Sequence, residues 1–258
     1  MKTRTRHTEI IGILKHEPFK TIEELCSELS VSPATVRRDL TILEQSGDIV
    51  RINGGAIYKK KAEDGRLDEK KPPLPFLNEK IRIAKAAAEL VKDGDTIFMD
   101  AGSTNRQIAE HLVGKTNITV ITNSLEIAYK LHSVKDKKDV SVVICGGTLG
   151  ETNMDSIVGP VAEKMISMFR ANICFIGTSG IDIKQGVTDA YLSTARIKEN
   201  MIEHSNKVHL VADHSKFGVI TAAFVCSIDK IGHIITDNSA PEEDVRTLRS
   251  RGILVTLV

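Results

Sequence analysis

Thr21-Ile22-Glu23-Glu24-Leu25-Cys26-Ser27-Glu28-Leu29-Ser30-Val31-Ser32-Pro33-Ala34-Thr35-Val36-Arg37-Arg38-Asp39-Leu40 contains two helix starts in quick succession. Thr21 followed three residues later by Glu24 is a capping box, in which the hydroxyl and the carboxylate each satisfy a free backbone N–H. Ile22, Leu25, Cys26 and Leu29 then share one face of the helix it opens. After the turn at Ser30-Val31, Ser32 acts as N-cap and Pro33 takes the first helical position, where its missing N–H is not needed. Along this next helix Val36, Leu40 and Leu43 form the face to be buried, Ala34, Arg38, Thr41 and Gln45 the opposite one, and Thr35 and Arg37 flank it. Upstream, Ile10, Ile11, Ile13 and Leu14 predict a helix that starts near Arg6 and is closed by Pro18. Three helices joined by short turns, the third polar outward and rich in arginine, predict a helix-turn-helix whose recognition helix enters a major groove by its N-terminus.

Downstream, Asp48-Ile49-Val50-Arg51-Ile52-Asn53-Gly54-Gly55-Ala56-Ile57-Tyr58 sets two β-prone runs around Asn-Gly, a strong hairpin signal, and predicts a wing. Residues 1–61 carry eleven Lys and Arg against eight Asp and Glu, an excess too small to identify a nucleic-acid binder without the positions of the charges. Those positions favour contact. Small Ala34 and Thr35 allow close approach to base edges, Arg38 suits a guanine, Arg37 suits a phosphate, and Arg51 suits phosphates or the minor groove. With Ser32, Thr41, Asn53 and Gly54 they form the candidate DNA-binding set, for which a solvated charged face and a purely structural hairpin are the alternatives.

The whole chain of 258 residues has a net charge of +1, 41% hydrophobic residues and no Trp, which excludes disorder and collagen-like order. No apolar run is long enough for a membrane helix, and Met1 to His7 lacks the apolar core of a signal peptide, so a cytoplasmic protein is expected. Cys26, Cys145, Cys174 and Cys226 are scattered in apolar runs without metal-ligand spacing, and they read as reduced core residues. Neither metal nor cofactor is expected.

Residues 62–76, with alternating charge blocks and three prolines, read as a linker between a winged helix-turn-helix domain over 1–61 and a second domain over 77–258. In the second domain, nearly unbroken apolar strands at 96–99, 118–121, 140–144, 173–176, 208–211 and 231–235 alternate with helical stretches. This pattern predicts an α/β domain with a parallel sheet covered on both faces. Ligands in such sheets lie beyond the carboxyl ends of the strands, where helix N-termini offer free N–H groups to anions. The first strand ends at Asp100, with Gly102, Ser103 and Thr104 leading into a helix near Asn105. Asn123 and Ser124, Gly146 and Gly147, Ser179, and Asp213 with Lys216 end later strands. Together they outline a polar pocket in which Lys216 is the leading cation for a phosphate, Asp100 suits a sugar hydroxyl, and Lys198 is a second cation with exposed helical lysine as its alternative. A plain N-cap accounts for Gly102-Ser103-Thr104 equally well.

Residues Leu25 to Leu29, Val31 to Leu40, Leu43-Glu44 and Arg51 to Ala56 resemble the winged helix-turn-helix signature of the DeoR family of bacterial transcriptional regulators. The chain departs from it at Asn53, where many members have His. Lys80-Ile83-Ala84, Asp100-Gly102-Ser103-Thr104, Thr122-Asn123-Ser124, Gly146-Gly147, Gly159-Pro160, Gly180-Ile181-Asp182, Gly186-Val187-Thr188, Lys198 and Asp213 to Gly218 resemble the sensor domain of the same family. That resemblance implies a fold similar to ribose-5-phosphate isomerase, a phosphorylated sugar or related metabolite as effector, Asp182 in the effector site, and repression. Thr194 stands near where many members carry Glu.

The rival reading is a sugar-phosphate isomerase, which needs a carboxylate base and a donor for the enediolate. The acidic and Lys-Gly-rich runs of the isomerase family have no counterpart around Ile176-Gly177-Thr178-Ser179-Gly180, which favours binding without turnover. The expected partners are double-stranded operator DNA, a phosphorylated sugar and further copies of the chain, as a dimer or tetramer, with no membrane.

Overall fold

The computed structural model describes residues 3–17, 19–52, 54–58, 74–112, 114–133, 140–150 and 155–258. The chain divides into two units, Met1–Leu77 and Asn78–Val258.

The first unit runs α1 (Thr3–His16), β1 (Lys20–Thr21), α2 (Ile22–Leu29), α3 (Pro33–Gln45), β2 (Ile49–Ile52) and β3 (Gly55–Tyr58). Its core gathers Ile10 and Leu14 of α1, Leu25 of α2, Val36, Leu40 and Leu43 of α3, and Ile49 and Ala56 of the hairpin, the apolar stripes that the periodicity picks out. Glu24 N–H donates to Thr21 Oγ1 at 3.1 Å and Thr21 N–H to Glu24 Oε2 at 2.7 Å, closing the capping box. Ser30, at φ 52°, ends α2 in the left-handed region, and Ser32 caps α3.

The first helix starts at Thr3, earlier than expected; Pro18 lies outside the described residues. In the wing, β2 and β3 pair antiparallel across a two-residue turn, with Ile52 opposite Gly55. Gly54 sits at φ 87°, the left-handed region such turns demand, and Asn53 lies outside the described residues. The sequence did not announce β1, which adds a third strand beside β3. A Cβ on Gly55 would lie 2.1 Å from the Lys20 carbonyl oxygen, so only glycine allows this pairing.

A turn at Pro75 and Phe76 leads into α4 (Leu77–Glu89), within whose first turn the second unit begins; residues 62–73 of the expected linker lie outside the described residues. Then come β4 (Thr96–Met99), α5 (Ser103–His111), β5 (Ile118–Thr122), α6 (Leu125–Ser133), β6 (Val140–Ile144), β7 (Thr148–Leu149), β8 (Ile157–Val158), α7 (Pro160–Ser167) and β9 (Ala171–Ile176). The chain continues through β10 (Gly180–Asp182), β11 (Gly186–Asp189), α8 (Leu192–Glu203), β12 (Ser205–Val211), β13 (Ala223–Cys226), β14 (His233–Thr236), α9 (Glu242–Ser250) and β15 (Leu254–Leu257).

Seven strands form a parallel sheet in the order β15-β14-β12-β9-β4-β5-β6. Six are the apolar runs seen in the sequence, and β15 is the unexpected seventh. One face packs Ile83, Ala84 and Ala87 of α4 and Ile108 of α5 against Ile97, Met99, Val120 and Phe175. The other packs Ala162 and Ile166 of α7 and Ile197 and Met201 of α8 against Phe98, Cys174, Ile176 and Leu210. Cys145, Cys174 and Cys226 are buried, reduced core residues, as expected.

The chain enters the sheet at β4, builds outward to β5 and β6, then returns to the other side of β4 with β9. The carboxyl ends of β4 and β9 therefore flank a topological switch point, where helices leave toward opposite faces and open a crevice. Two small antiparallel sheets, β10-β11-β13 and β7-β8, escaped the sequence reading. Their strands are only two to four residues long, too short for a period-2 pattern to stand out.

Candidate functional site

In the first unit α3 presents Ala34, Arg37 and Arg38 to solvent, with Thr35 and Thr41 partly exposed beside them. Ser32 Oγ lies 2.9 Å from Thr35 Oγ1, so both hydroxyls belong to the cap of the helix they begin. Thr41 Oγ1 donates to the Arg37 carbonyl at 2.9 Å and accepts from Arg51 Nη1 at 3.1 Å. Glu44 Oε1 accepts the Arg51 backbone N–H at 3.2 Å. The wing is thus tied to the outward flank of α3, and helix and hairpin form one continuous basic face with Gly54 at the hairpin tip. Ile42, which sequence reading left unassigned, is 42% exposed on the Arg38 side of that face. An apolar side chain there suits a thymine methyl.

In the second unit, Asp100 follows β4 at the switch point and is buried. Its Oδ2 accepts from Lys198 Nζ and, at 3.3 Å, from the Gly177 N–H after β9. Lys198 is not the exposed helical lysine of the alternative reading. It points inward from α8, is 4% exposed, and also lies 3.4 Å from Asp189 Oδ2 at the end of β11. Asp189 was absent from the sequence reading because β11 itself was. Thr194 Oγ1 donates to Asp189 Oδ1 at 2.8 Å, so the residue at the family's Glu position serves to hold Asp189. Burial pushes the Asp100 carboxyl above its ordinary range against the pull of Lys198, while Asp100 and Asp189 overcome the burial of Lys198 and keep it protonated.

A second buried pair lies close by. Lys80 of α4 reaches Asp213, beyond β12, at 2.9 Å, and the Ser215 N–H caps Asp213 Oδ1 at 3.1 Å. Burial raises the Asp213 carboxyl, but Lys80 and the Ser215 hydroxyl outweigh it and hold the group below the usual carboxylate range. Lys216, in the same turn, has no ion pair among the described residues. Burial lowers its pKa; Asp213 opposes this, Lys80 adds to it, and the field of Asp189 also reaches it. Three lysines and three carboxylates therefore share one region at the carboxyl edge of the sheet, and Lys216 is the lysine without a direct ion pair among the described residues.

Gly102 is extended, with nothing within 4 Å of where a Cβ would stand, which leaves room above the first turn of α5 at Ser103 and buried Thr104. Asn105, unassigned in the sequence reading, is fully buried and donates from Nδ2 to the Asp100 and Phe175 carbonyls at 2.8 and 3.1 Å, clamping the two strand ends that frame the crevice.

Other expected residues have structural bonds instead. Asn123 donates to the Ile157 carbonyl at 3.0 Å and accepts the Ala101 N–H at 2.9 Å, and Ser124 Oγ contacts Asp155 and accepts the Ile127 N–H. Both are fully buried, so they shape the loop beyond β5 with their side chains already engaged. Asp182 caps the Lys184 and Gln185 N–H groups in the β10–β11 turn, at the opposite end of that hairpin from Ser179 and Asp189. Ser179 Oγ lies 3.5 Å from Asp189. Gly146 and Gly147 follow the edge strand β6, two strands away from Asp100.

A cavity of about 890 Å³ lies at the opposite, amino-terminal edge of the sheet, lined by Lys207, His209, Asp229, His233 and Leu254 among others. Its lining holds amino-terminal residues of β12, β14 and β15, and the convergent charges are at the other edge.

Residues 6–62 match the DeoR-like helix-turn-helix domain and residues 76–238 the DeoR C terminal sensor domain. The HTH-type transcriptional regulator GolR of Listeria innocua is 33% identical over 98% of this chain and 97% of its own length. The glycerol-3-phosphate regulon repressor of Escherichia coli is 33% identical over 100% of both chains. Ribose 5-phosphate isomerase from Plasmodium falciparum overlaps with a TM-score of 0.39 at 17% identity, covering 57% of this chain and 54% of that one.

Proposed function

Since this chain belongs to the DeoR family of transcriptional regulators, we propose that it is a repressor that holds operator DNA through α3 and the wing, and lets go when a phosphorylated sugar or related metabolite binds the second unit. It is a DNA-binding regulator rather than an enzyme. The observation that carries the effector reading is Lys216, without a direct ion pair among the described residues, beside the buried Lys198–Asp100–Asp189 and Lys80–Asp213 groups at the carboxyl edge of the sheet.

In this reading Lys216 and the first-turn N–H groups of α5, with Ser103 and Thr104, take the phosphate. Asp100, Asp189 and Asp213 accept the hydroxyls, with Lys198 set against the first two and Lys80 against the third. A three-carbon polyol phosphate names the regulon of one relative, and a ligand of that class matches the mixture of one cation and several carboxylates. On the DNA side Arg38 reads a guanine while Arg37 and Arg51 grip phosphates, two copies of the chain engaging repeated half-sites.

The test has two stages. A panel of sugar and polyol phosphates is screened for a rise in melting temperature, since a ligand of the native state alone stabilises it. The hit is then titrated into the protein bound to a duplex selected from random DNA. Release of the duplex is expected, and no turnover of the hit; unchanged DNA affinity with every compound would overturn the effector reading.

A further inference from the structure

Arg37-Arg38-Asp39 ends in a residue that the DNA-contact reading does not use. Asp39 projects from α3 one residue beyond Arg38, about 100° around the helix, so it points away from the basic face. It is 1% exposed. Both of its oxygens are engaged by α1: Arg6 Nε donates to Oδ2 and Arg6 Nη2 to Oδ1 at 3.0 Å, and His7 Nε2 lies 2.9 Å from Oδ1. Burial alone would raise this carboxyl, but Arg6 and His7 prevail and hold it below the usual carboxylate range.

Against α1 and α2, α3 otherwise packs Val36, Leu40 and Leu43 on Ile10, Leu14 and Leu25, while Thr41 and Glu44 tie its far end to Arg51 of the wing. Apolar packing is non-directional and tolerates small rotations and slides, whereas a two-pronged guanidinium–carboxylate contact has a defined plane and distance. Arg38 needs a defined rotation of α3, because a base edge is read by paired hydrogen bonds at a specific place in the groove.

We propose that Asp39 is a positioning residue for DNA recognition: held by Arg6 and His7, it sets the rotation and register of the recognition helix, and so determines which bases Arg38 and Ala34 meet, without itself touching DNA. The clamp also neutralises a carboxylate adjoining a surface that faces phosphates. The proposal goes beyond the effector reading and is independent of it.

The test compares the full-length protein with Asp39→Asn and Arg6→Lys, the latter keeping the charge but losing the fork. Each is measured on a duplex selected from random DNA by the wild-type protein and on a scrambled duplex of equal length, across a salt series, with melting temperatures recorded. Asp39→Asn is expected to weaken the selected duplex at least ~10-fold and the scrambled one less than ~2-fold, with the salt slope unchanged; Arg6→Lys should lose selectivity several-fold while staying folded. Equal losses on both duplexes would indicate a merely structural role. A slope shallower by about 0.9 in a further, charge-removing variant, Arg6→Gln, would indicate that Arg6 itself binds a phosphate. Either result overturns the proposal, as does wild-type selectivity in both variants. If Asp39→Asn fails to fold, Arg6→Lys decides alone.

Discussion

Lys198 and Lys216 carry the same charge near the same strand ends, and burial assigns them opposite parts. Lys198 is enclosed with Asp100 and Asp189, so Lys198→Met should strand two carboxylates in the interior and destabilise the fold by about 3–5 kcal/mol, read from urea unfolding. Lys216→Ala removes an ammonium that no carboxylate pairs with directly, so it should leave the unfolding midpoint nearly unchanged while abolishing DNA release by the effector. Unaltered release in that variant would place the phosphate elsewhere. The lowered pKa of Lys216 adds a sign. A bound anion favours its protonated form, so binding at alkaline pH should take up a proton, and effector affinity should fall as pH rises through the free-protein value. Calorimetry in buffers of differing ionisation enthalpy measures this directly, and zero uptake would separate Lys216 from the ligand. On the DNA side, Arg38→Ala should cost specific binding about 1–3 kcal/mol and relax selectivity at one base pair, as measured by competition with single-base variants of the site.

Strand pairing supplies a pH dependence of its own. Val208 and Leu210 of β12 face one core while His209 faces the other, where it meets His233 of β14 with their Nδ1 atoms 3.1 Å apart. His233 Nε2 lies 2.9 Å from Thr256 Oγ1, whereas His209 Nε2 is buried with no hydrogen-bond partner among the described residues. A proton on His209 Nε2 would have no acceptor there. Burial, with His233 and Lys207 adding, lowers the His209 pKa to about 4. The ordinary value is near 6.5, so the unfolded chain takes up the proton first as pH falls. Stability should therefore be level above about pH 6.5 and decline by roughly 3 kcal/mol down to about pH 4. Urea midpoints across that range check it; His209→Phe, stacking on Phe175, should flatten the curve, and an unchanged slope would move the titration to other groups.

At the scale of the whole molecule, effector and DNA are linked only if each favours a different state of the chain. Linkage then requires reciprocity: if the effector weakens operator affinity by some factor, saturating operator DNA must weaken effector affinity by the same factor. A coupling of about 1–3 kcal/mol corresponds to roughly 5- to 150-fold on both sides. Calorimetric effector titrations with and without the duplex measure both arms, and an effector affinity unchanged by saturating duplex would overturn the linkage.

Local chemistry is legible in order. Thr21 with Glu24, Ser32 with Pro33 and the Asn53-Gly54 turn announce their elements because each is decided by neighbours within a few residues, and six β-branched runs announce the large sheet because burial on both faces leaves no room for polar alternation. The family signature at Arg37-Arg38 and at Asp213 to Lys216 is equally local. What the order of residues leaves open is pairing across the fold. Asp189 lies on a short strand whose partner β13 comes much later in the chain, Asn105 reaches a strand end seventy residues further on, and Lys198 is 98 residues from the carboxylate it holds. Whether a lysine is a free cation or a structural counter-ion depends on what surrounds it after folding. Electrostatic energy follows distance and burial, and neither is a property of neighbours along the chain.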